Sequence, residues 1–187
     1  EFLSDEDQQR ITEIGNTPVH YYVEGEKTLL SEEEIKNLQI SRGTLSIRER
    51  EIINNHVSVT IKMLESLPYP KHLKRVPEYA GGHHEKLDGT GYPNHLTAEQ
   101  MSIPARMVAI ADIFEALTAA DRPYKKAMPL SLALTILGRM KEDNHIDADL
   151  FDVFIHNKLY LKYAKEYLAK DQFDEIDVTT IPGYNPL

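Results

Sequence analysis

The chain of 187 residues contains no cysteine, which excludes disulfides, thiolate catalysis and cysteine-based zinc sites. Basic residues are also scarce: 21 Lys and Arg stand against 30 Asp and Glu, a net charge of −9. This balance argues against binding to a nucleic-acid polymer or an anionic membrane, since both require a basic surface. No apolar run approaches the roughly 20 residues of a membrane helix, and the acidic N-terminus lacks the basic region of a signal peptide. We therefore expect a soluble, cytoplasmic protein without membrane insertion.

Helical patterns dominate the chain. Ser4 and Ser46 are candidate N-caps, and Ser46 with Glu49 forms a capping box for a long helix to about residue 67. Further helices are predicted at 73–82, 104–120, 130–142, 147–157 and 159–169. Alternation around Gly25 predicts a β-hairpin over residues 19–30. The predicted fold class is all-α, a helical bundle with one small hairpin near the N-terminus, and residues 181–187 are expected to form a loose tail.

One histidine lies within the long helix. Helical spacing predicts that His56 shares an inward-facing stripe with four other residues, which are Ile53, Thr60, Met63 and Leu67. A histidine in such a place is more often a hydrogen-bonded core residue than a metal ligand, and both interpretations stay open at this stage.

Two adjacent histidines, His83 and His84, end the next predicted helix and precede a segment rich in glycine. Neighbouring helical residues point about 100° apart, so we expect the two imidazoles to serve one metal only with difficulty. They could instead serve two neighbouring metals, or one could bind a metal while the other contacts a substrate. A pair exposed on the surface without function is an equally good interpretation of the dipeptide alone.

Asp112 lies in an apolar helix among small residues, on the face of Ala105, Ala109 and Ala116. A carboxylate there needs a metal, a cation or backbone donors to offset the cost of burial. The plainer alternative is an ion pair with Arg106 or Arg122. Three histidines and one aspartate suit Fe, Mn, Ni, Co or Zn better than Ca or Mg. Close pairs of such metals recur in phosphodiester hydrolysis, so the residues alone lead as far as a metal-dependent phosphoesterase.

Several ordered motifs then resemble one family. The run from His83 to Pro93, His-His-Glu-Lys-Leu-Asp-Gly-Thr-Gly-Tyr-Pro, resembles the signature of HD-GYP domains. Further blocks at fitting spacing are residues 45–56, 103–106, 109–112, 116–118 and 121–125. The resemblance covers about residues 44–170. It predicts an HD-type helical domain there, preceded by a helix, hairpin and linker helix at 1–43 and followed by a tail at 171–187.

The resemblance also implies an activity. HD-GYP proteins are bacterial phosphohydrolases whose active members convert cyclic di-GMP to pGpG or GMP with two or three metals, commonly Fe or Mn. By position, it implies four metal ligands: His56, His83, His84 and Asp112. It assigns Arg122 and Lys125 to the substrate phosphates, and it gives His84, Asp112 and Lys125 a catalytic part.

Residues 85–97, which we call the glycine loop, are predicted to form an ordered loop. The resemblance implies that its part from Gly89 to Pro93 borders that site. Gly91, Tyr92 and Pro93 would face the substrate, and the same loop is linked in this family to contacts with diguanylate cyclase (GGDEF) domains. Glu85 and Asp88 are expected to fix the loop by hydrogen bonds rather than to bind metal.

One departure from the family is clear, because none of the eight histidines is followed by aspartate. The His-Asp dipeptide that names the superfamily should precede His56. Either the chain is the C-terminal portion of a longer protein that carries the dipeptide upstream, or it is a degenerate member. The alternatives to a cyclic di-GMP phosphodiesterase are therefore a catalytically incomplete signalling or interaction module and a phosphohydrolase of other nucleotides.

Overall fold

The fold is built almost entirely from helices. A computed structural model describes residues 3–19, 27–40, 43, 45–120 and 128–186. The helices are α1 (Asp5–Gly15), α2 (Glu32–Leu38), α3 (Ile47–Glu65), α4 (Val76–Gly81), α5 (Ile103–Thr118), α6 (Leu130–Glu142), α7 (Ala148–His156) and α8 (Leu159–Tyr167). Short 3-10 turns lie at Lys71–Leu73, Lys170–Gln172 and Val178–Thr180. The predicted all-α class is confirmed. Within these described ranges, no helix is both long and apolar enough to cross a bilayer.

The predicted hairpin near the N-terminus is also present. Strand β1 (Pro18–Val19) pairs antiparallel with β2 (Lys27–Thr28), with Pro18 opposite Thr28. The turn predicted at Gly25 lies outside the described residues.

The chain forms two compact units, residues 1–54 and 55–187. In the first unit, α1 packs on α2. Gly15 permits this approach, since a β-carbon there would lie 2.6 Å from Ile35 Cγ1. The Gln39 side-chain amide donates to the Gln8 carbonyl oxygen over 2.7 Å and to Thr12 Oγ1 over 2.6 Å, which ties the two helices together.

Two predicted helix starts are confirmed in atomic detail. Ser4 Oγ accepts from the backbone N–H of Asp7 at the start of α1. At the start of α3, the Glu49 carboxylate accepts from the backbone N–H of Ser46 over 2.8 Å, and Ser46 Oγ accepts from the Glu49 N–H over 3.2 Å. These reciprocal bonds satisfy backbone donors that a helix N-terminus otherwise leaves unpaired.

The predicted inward stripe of α3 is wrong. Ile53, His56, Met63 and Leu67 are exposed, Met63 by 58%, whereas Val57 is fully buried. Apolar side chains lie on several sides of this helix, so spacing alone could not choose among them. Packing determines which side is buried: Ile61, one turn after Val57, lies directly against Gly81 at the end of α4.

The core of the second unit lies between α5, α6, α7 and α8. It consists of buried residues from all four helices, from the turn between α6 and α7 and from the C-terminal segment: Ile110, Phe114, Leu130, Ala133, Leu134, Leu137, Ile146, Phe151, Ile155, Tyr160, Ala164, Ile181 and Tyr184. Each helix turns one apolar stripe toward this cluster, as amphipathic helices around a single core do.

The expectation of a loose tail is wrong for residues 181–186. Ile181 and Tyr184 are buried in the core. The backbone also comes so close to α6 that a β-carbon on Gly138 would lie 2.3 Å from the Pro182 carbonyl oxygen. The buried side chains of Ile181 and Tyr184, with the space left by Gly138, therefore hold this segment against the core. Its Pro and Gly content had indicated an irregular end.

Candidate metal centre

Three histidines from two separate elements converge in the second unit. His56 lies on α3, and His83 and His84 follow α4. One ring nitrogen from each lies within 4.8 Å of the others. The ring centroids are 5.3 Å apart for His56 and His84, and 4.2 Å apart for His83 and His84. We call these three residues the histidine cluster.

The expectation that His83 and His84 diverge by a helical angle is wrong. Helix α4 ends at Gly81, with Gly82 as its C-cap, so both histidines lie in the turn that follows. There the 100° separation of neighbouring helical side chains does not apply, and both imidazoles face the same space as His56.

Two glycines allow this turn to lie close to its neighbours. A β-carbon on Gly81 would be 2.7 Å from the Ile61 side chain of α3, and one on Gly82 would be 2.9 Å from Ala105 Cβ of α5. Because neither position has room for a side chain, the end of α4 fits tightly against both helices. That fit brings the pair of histidines to His56.

A backbone contact fixes the proton on one imidazole. The Nδ1 of His83 lies in hydrogen-bond contact with the Ala80 carbonyl oxygen. A carbonyl oxygen can only accept, so Nδ1 is the donor in this contact, and Nε2 is the nitrogen left to face a metal. Histidines that bind metals are usually oriented by a hydrogen bond of this kind on the other nitrogen.

Asp112 on α5 is half-buried and acts electrostatically on this cluster. Burial lowers the pKa of His84 most, the neighbouring His83 lowers it further, and the Asp112 charge opposes both. The Asp112 carboxylate also adds to the effect of burial in raising the pKa of Tyr92. The carboxylate thus lies near both rings, although among the described residues the close 4.8 Å group comprises only the three histidines.

The alternative for Asp112, an ion pair with Arg106 or Arg122, fails for Arg106. Arg106 is engaged elsewhere: its guanidinium donates to the Asp147 carboxylate over 2.8 Å and to the Met101 carbonyl oxygen over 3.0 Å. It also bonds the Ala98 carbonyl oxygen at the end of the glycine loop. From the sequence, Arg106 was considered only as a partner for Asp112. The sequence feature that could have indicated its actual partner is Asp147, which is the N-cap of α7.

The glycine loop returns to the histidines. Tyr92 stacks on His84, with ring centroids 4.8 Å apart and planes 18° apart, and its N–H donates to the His84 carbonyl oxygen over 3.2 Å. The hydrogen bonds expected of the loop's two acids are confirmed. Glu85 accepts from the backbone N–H groups of Asn94 and Leu96, and Asp88 accepts from the backbone and hydroxyl of Thr90.

The donor set fits a divalent transition metal. Three imidazole nitrogens in one place, one with its proton held on the far side of the ring, suit Fe, Mn, Co, Ni or Zn and suit Ca or Mg poorly. Asp112, which lies outside this close group, carries a carboxylate of the kind these metals accept. Arg122 and Lys125, which the family resemblance implies as contacts of the substrate phosphates, lie outside the described residues.

Two comparisons with known proteins bear on this site. The profile of the HD domain family matches residues 31–150 of the chain. Among curated proteins, the chain is 44% identical over 82 residues to 3′3′-cGAMP-specific phosphodiesterase 1 of Vibrio cholerae, and 42% identical over 111 residues to 3′3′-cGAMP-specific phosphodiesterase 3 of the same species. It is 47% identical over 74 residues to a cyclic di-GMP phosphodiesterase of Pseudomonas aeruginosa.

The aligned segments are a small part of those relatives. They cover 44%, 58% and 39% of this chain but 19%, 23% and 17% of the respective relatives. The chain therefore matches about a fifth of the length of each named phosphodiesterase.

Proposed function

The chain belongs to the HD domain family, and from that premise we propose that it forms the metal-binding part of a phosphodiesterase that hydrolyses cyclic di-GMP. The profile match and the named relatives confirm the resemblance to HD-GYP-type phosphohydrolases. The observation that carries the proposal is the convergence of His56, His83 and His84 within 4.8 Å. We propose residues 44–170 as the extent of the catalytic domain.

The residues of the cluster take distinct parts in this proposal. His56, His83 and His84 supply nitrogen donors and Asp112 an oxygen donor. Divalent metals held there, with Fe or Mn the proposed identity and two or three the proposed number, would polarise the phosphodiester and lower the pKa of a bound water. Tyr92 covers one face of His84 and shields that face from solvent.

A cyclic dinucleotide brings two phosphodiester charges to the site. Arg122 and Lys125 are the cations that we propose for these phosphates, and Gly91, Tyr92 and Pro93 are proposed to shape the entrance. Neutralising charge on the phosphate oxygens stabilises the transition state of their hydrolysis. Because the substrate is an intracellular messenger, a cytoplasmic location is part of the proposal.

Contact with diguanylate cyclase (GGDEF) domains is a further part of the proposal. The exposed tip of the glycine loop at Thr90 is the surface that such a partner would meet. Substitution Thr90→Arg should weaken binding of a GGDEF domain in a pull-down and leave metal content unchanged.

Hydrolysis by the metal-loaded protein tests the main proposal. The protein, loaded anaerobically with Mn(II) or Fe(II), is incubated with cyclic di-GMP, and in parallel with 3′3′-cGAMP because two relatives are named for it. We expect pGpG or GMP to form, and expect His56→Ala or Asp112→Ala to reduce the rate roughly a hundredfold or more. His72→Ala, an exposed histidine on a 3-10 turn, is the matched control. Full activity in the first two variants would contradict the ligand assignment.

A second candidate is a non-catalytic signalling module. The observation in its favour is that no histidine of the chain is followed by aspartate. Calorimetric titration with cyclic di-GMP separates the two candidates. Binding without any product after prolonged incubation with metal supports the module, whereas turnover supports the enzyme.

A further inference from the structure

The carboxylate that follows the two adjacent histidines is almost completely enclosed. Glu85 is 2% exposed. Its Oε1 accepts from the Asn94 backbone N–H over 2.7 Å, and its Oε2 accepts from the Leu96 N–H over 2.9 Å. A buried carboxylate without such donors is strongly destabilising. Glu85 therefore favours the one loop conformation in which residues 94 and 96 come back to it.

The rest of the glycine loop is shaped to allow that return. Residue 91 passes directly over the start of the loop, where a β-carbon would lie 2.3 Å from Lys86 N and 2.4 Å from Glu85 Cα. A bridge between Asp88 and Thr97 closes the base of the loop. Glycine at 91 and the carboxylate at 85 thus serve the same closure, one by leaving space and the other by supplying two acceptors.

The closed loop ends in a contact with the histidine cluster. Tyr92 lies two residues before Asn94, and its ring stacks on the His84 imidazole. The Tyr92 N–H also donates to the His84 carbonyl oxygen, so both backbone and ring are held in register with that histidine. An imidazole with one face covered has less freedom to rotate about its side-chain bonds.

We propose that Glu85 is a positioning residue, which fixes the His84 imidazole by holding the loop that presses Tyr92 against it. The proposal rests on the proposed role of His84 as a metal ligand. Glu85 acts through the loop: among the described residues it does not belong to the close group of candidate donors, and both of its oxygens already accept backbone hydrogen bonds. Holding a ligand in its bound orientation before the metal arrives strengthens binding.

The substitution Glu85→Gln tests this directly, because glutamine has the same shape and one acceptor fewer. Its NH2 group would face one of the two backbone N–H groups. We expect amide hydrogen exchange at Asn94 and Leu96 to accelerate roughly tenfold or more, and the ring-current shift of the His84 proton signals to disappear. Mn(II) affinity should fall about 10- to 100-fold. Glu99→Gln, an exposed acid just beyond the same loop, is the control and should change none of these.

A second variant tests the stacking of Tyr92 on His84 separately from the hydrogen bonds of Glu85. Tyr92→Leu should remove the His84 ring-current shift and lower the Mn(II) affinity, while the exchange of Asn94 and Leu96 stays slow. This arm remains decisive should the glutamine variant not fold. Unchanged His84 signals and metal affinity in either folded variant would overturn the proposal and leave Glu85 with a role in loop folding alone. The exchange and ring-current results do not need metal, so they decide the positioning role even in the event that the proposed function fails.

Discussion

Arg106 of α5 donates to the Asp147 carboxylate at the start of α7 over 2.8 Å, and both side chains are largely shielded from solvent. The same guanidinium bonds the Ala98 and Met101 carbonyl oxygens. One side chain thus joins the end of the glycine loop to two helices of the core. It also explains why Asp112 does not use Arg106 as its partner.

Loss of this guanidinium should destabilise the second unit. Arg106→Ala removes the charged donor to the shielded Asp147 carboxylate, which keeps only backbone donors, and to two carbonyl oxygens. We expect the free energy of unfolding to fall by about 2–3 kcal/mol. Arg75→Ala is the matched control, since its ion pair with Glu78 is exposed and such pairs contribute little. Urea denaturation of the two variants measures the difference. Equal stability would contradict the role given to Arg106.

Acid should weaken the same contact. Burial opposes ionisation of Asp147, but hydrogen bonds from the Leu150 N–H and the Arg106 guanidinium outweigh it and hold the pKa of Asp147 below its ordinary value. The contribution of this pair is therefore complete above the unfolded pKa of about 3.9 and is lost as the pH falls through the lower folded value. We expect the Asp147→Asn variant to lose less stability than the wild type below about pH 4. The free energy of unfolding is measured by urea denaturation at pH 6 and pH 3. An equal loss between these two pH values in the wild type and in Asp147→Asn would contradict this expectation.

The docking of the C-terminal segment predicts an unusual sign for a glycine substitution. Replacing glycine by alanine inside a helix normally stabilises a protein by roughly 0.5–1 kcal/mol. At Gly138, however, the added β-carbon would meet the Pro182 carbonyl oxygen at 2.3 Å. We expect Gly138→Ala to lower stability by about 1–3 kcal/mol. Leu132→Ala, on the exposed side of the same helix, should change it by only about 0.5 kcal/mol. A more stable Gly138→Ala variant would mean that the segment is not docked there.

Sequence patterns located most elements because local signals determine them. The capping box of Ser46 and Glu49 places the start of α3, and the bounds of α6 are those predicted. The inward stripe of α3 failed because apolar residues lie on several sides of the helix, and only its packing against the end of α4 selects Val57. Ile181 and Tyr184 were missed as anchors because two apolar residues among Pro and Gly carry no periodicity.

The candidate site was predictable in its members and not in its geometry. The motifs indicated His56, His83, His84 and Asp112 as candidate ligands. However, the adjacent residues His83 and His84 converge only because α4 ends at Gly81, before both of them. That end depends on two close approaches, of Gly81 to Ile61 and of Gly82 to Ala105, which join residues distant in the sequence. No local pattern contains such contacts. The burial of Glu85 under a returning loop is likewise a property of the folded chain.

The metal content per chain is the most direct test of whether the histidine cluster is a metal centre. The protein is loaded anaerobically with Mn(II), freed of excess metal and analysed by plasma mass spectrometry, together with His83→Ala and the control His72→Ala. We expect at least one bound metal per chain in the wild type and the control, and loss of bound metal in His83→Ala. A wild-type protein that binds none, or a His83→Ala variant that keeps all of it, would contradict the assignment of the histidine cluster as a metal centre.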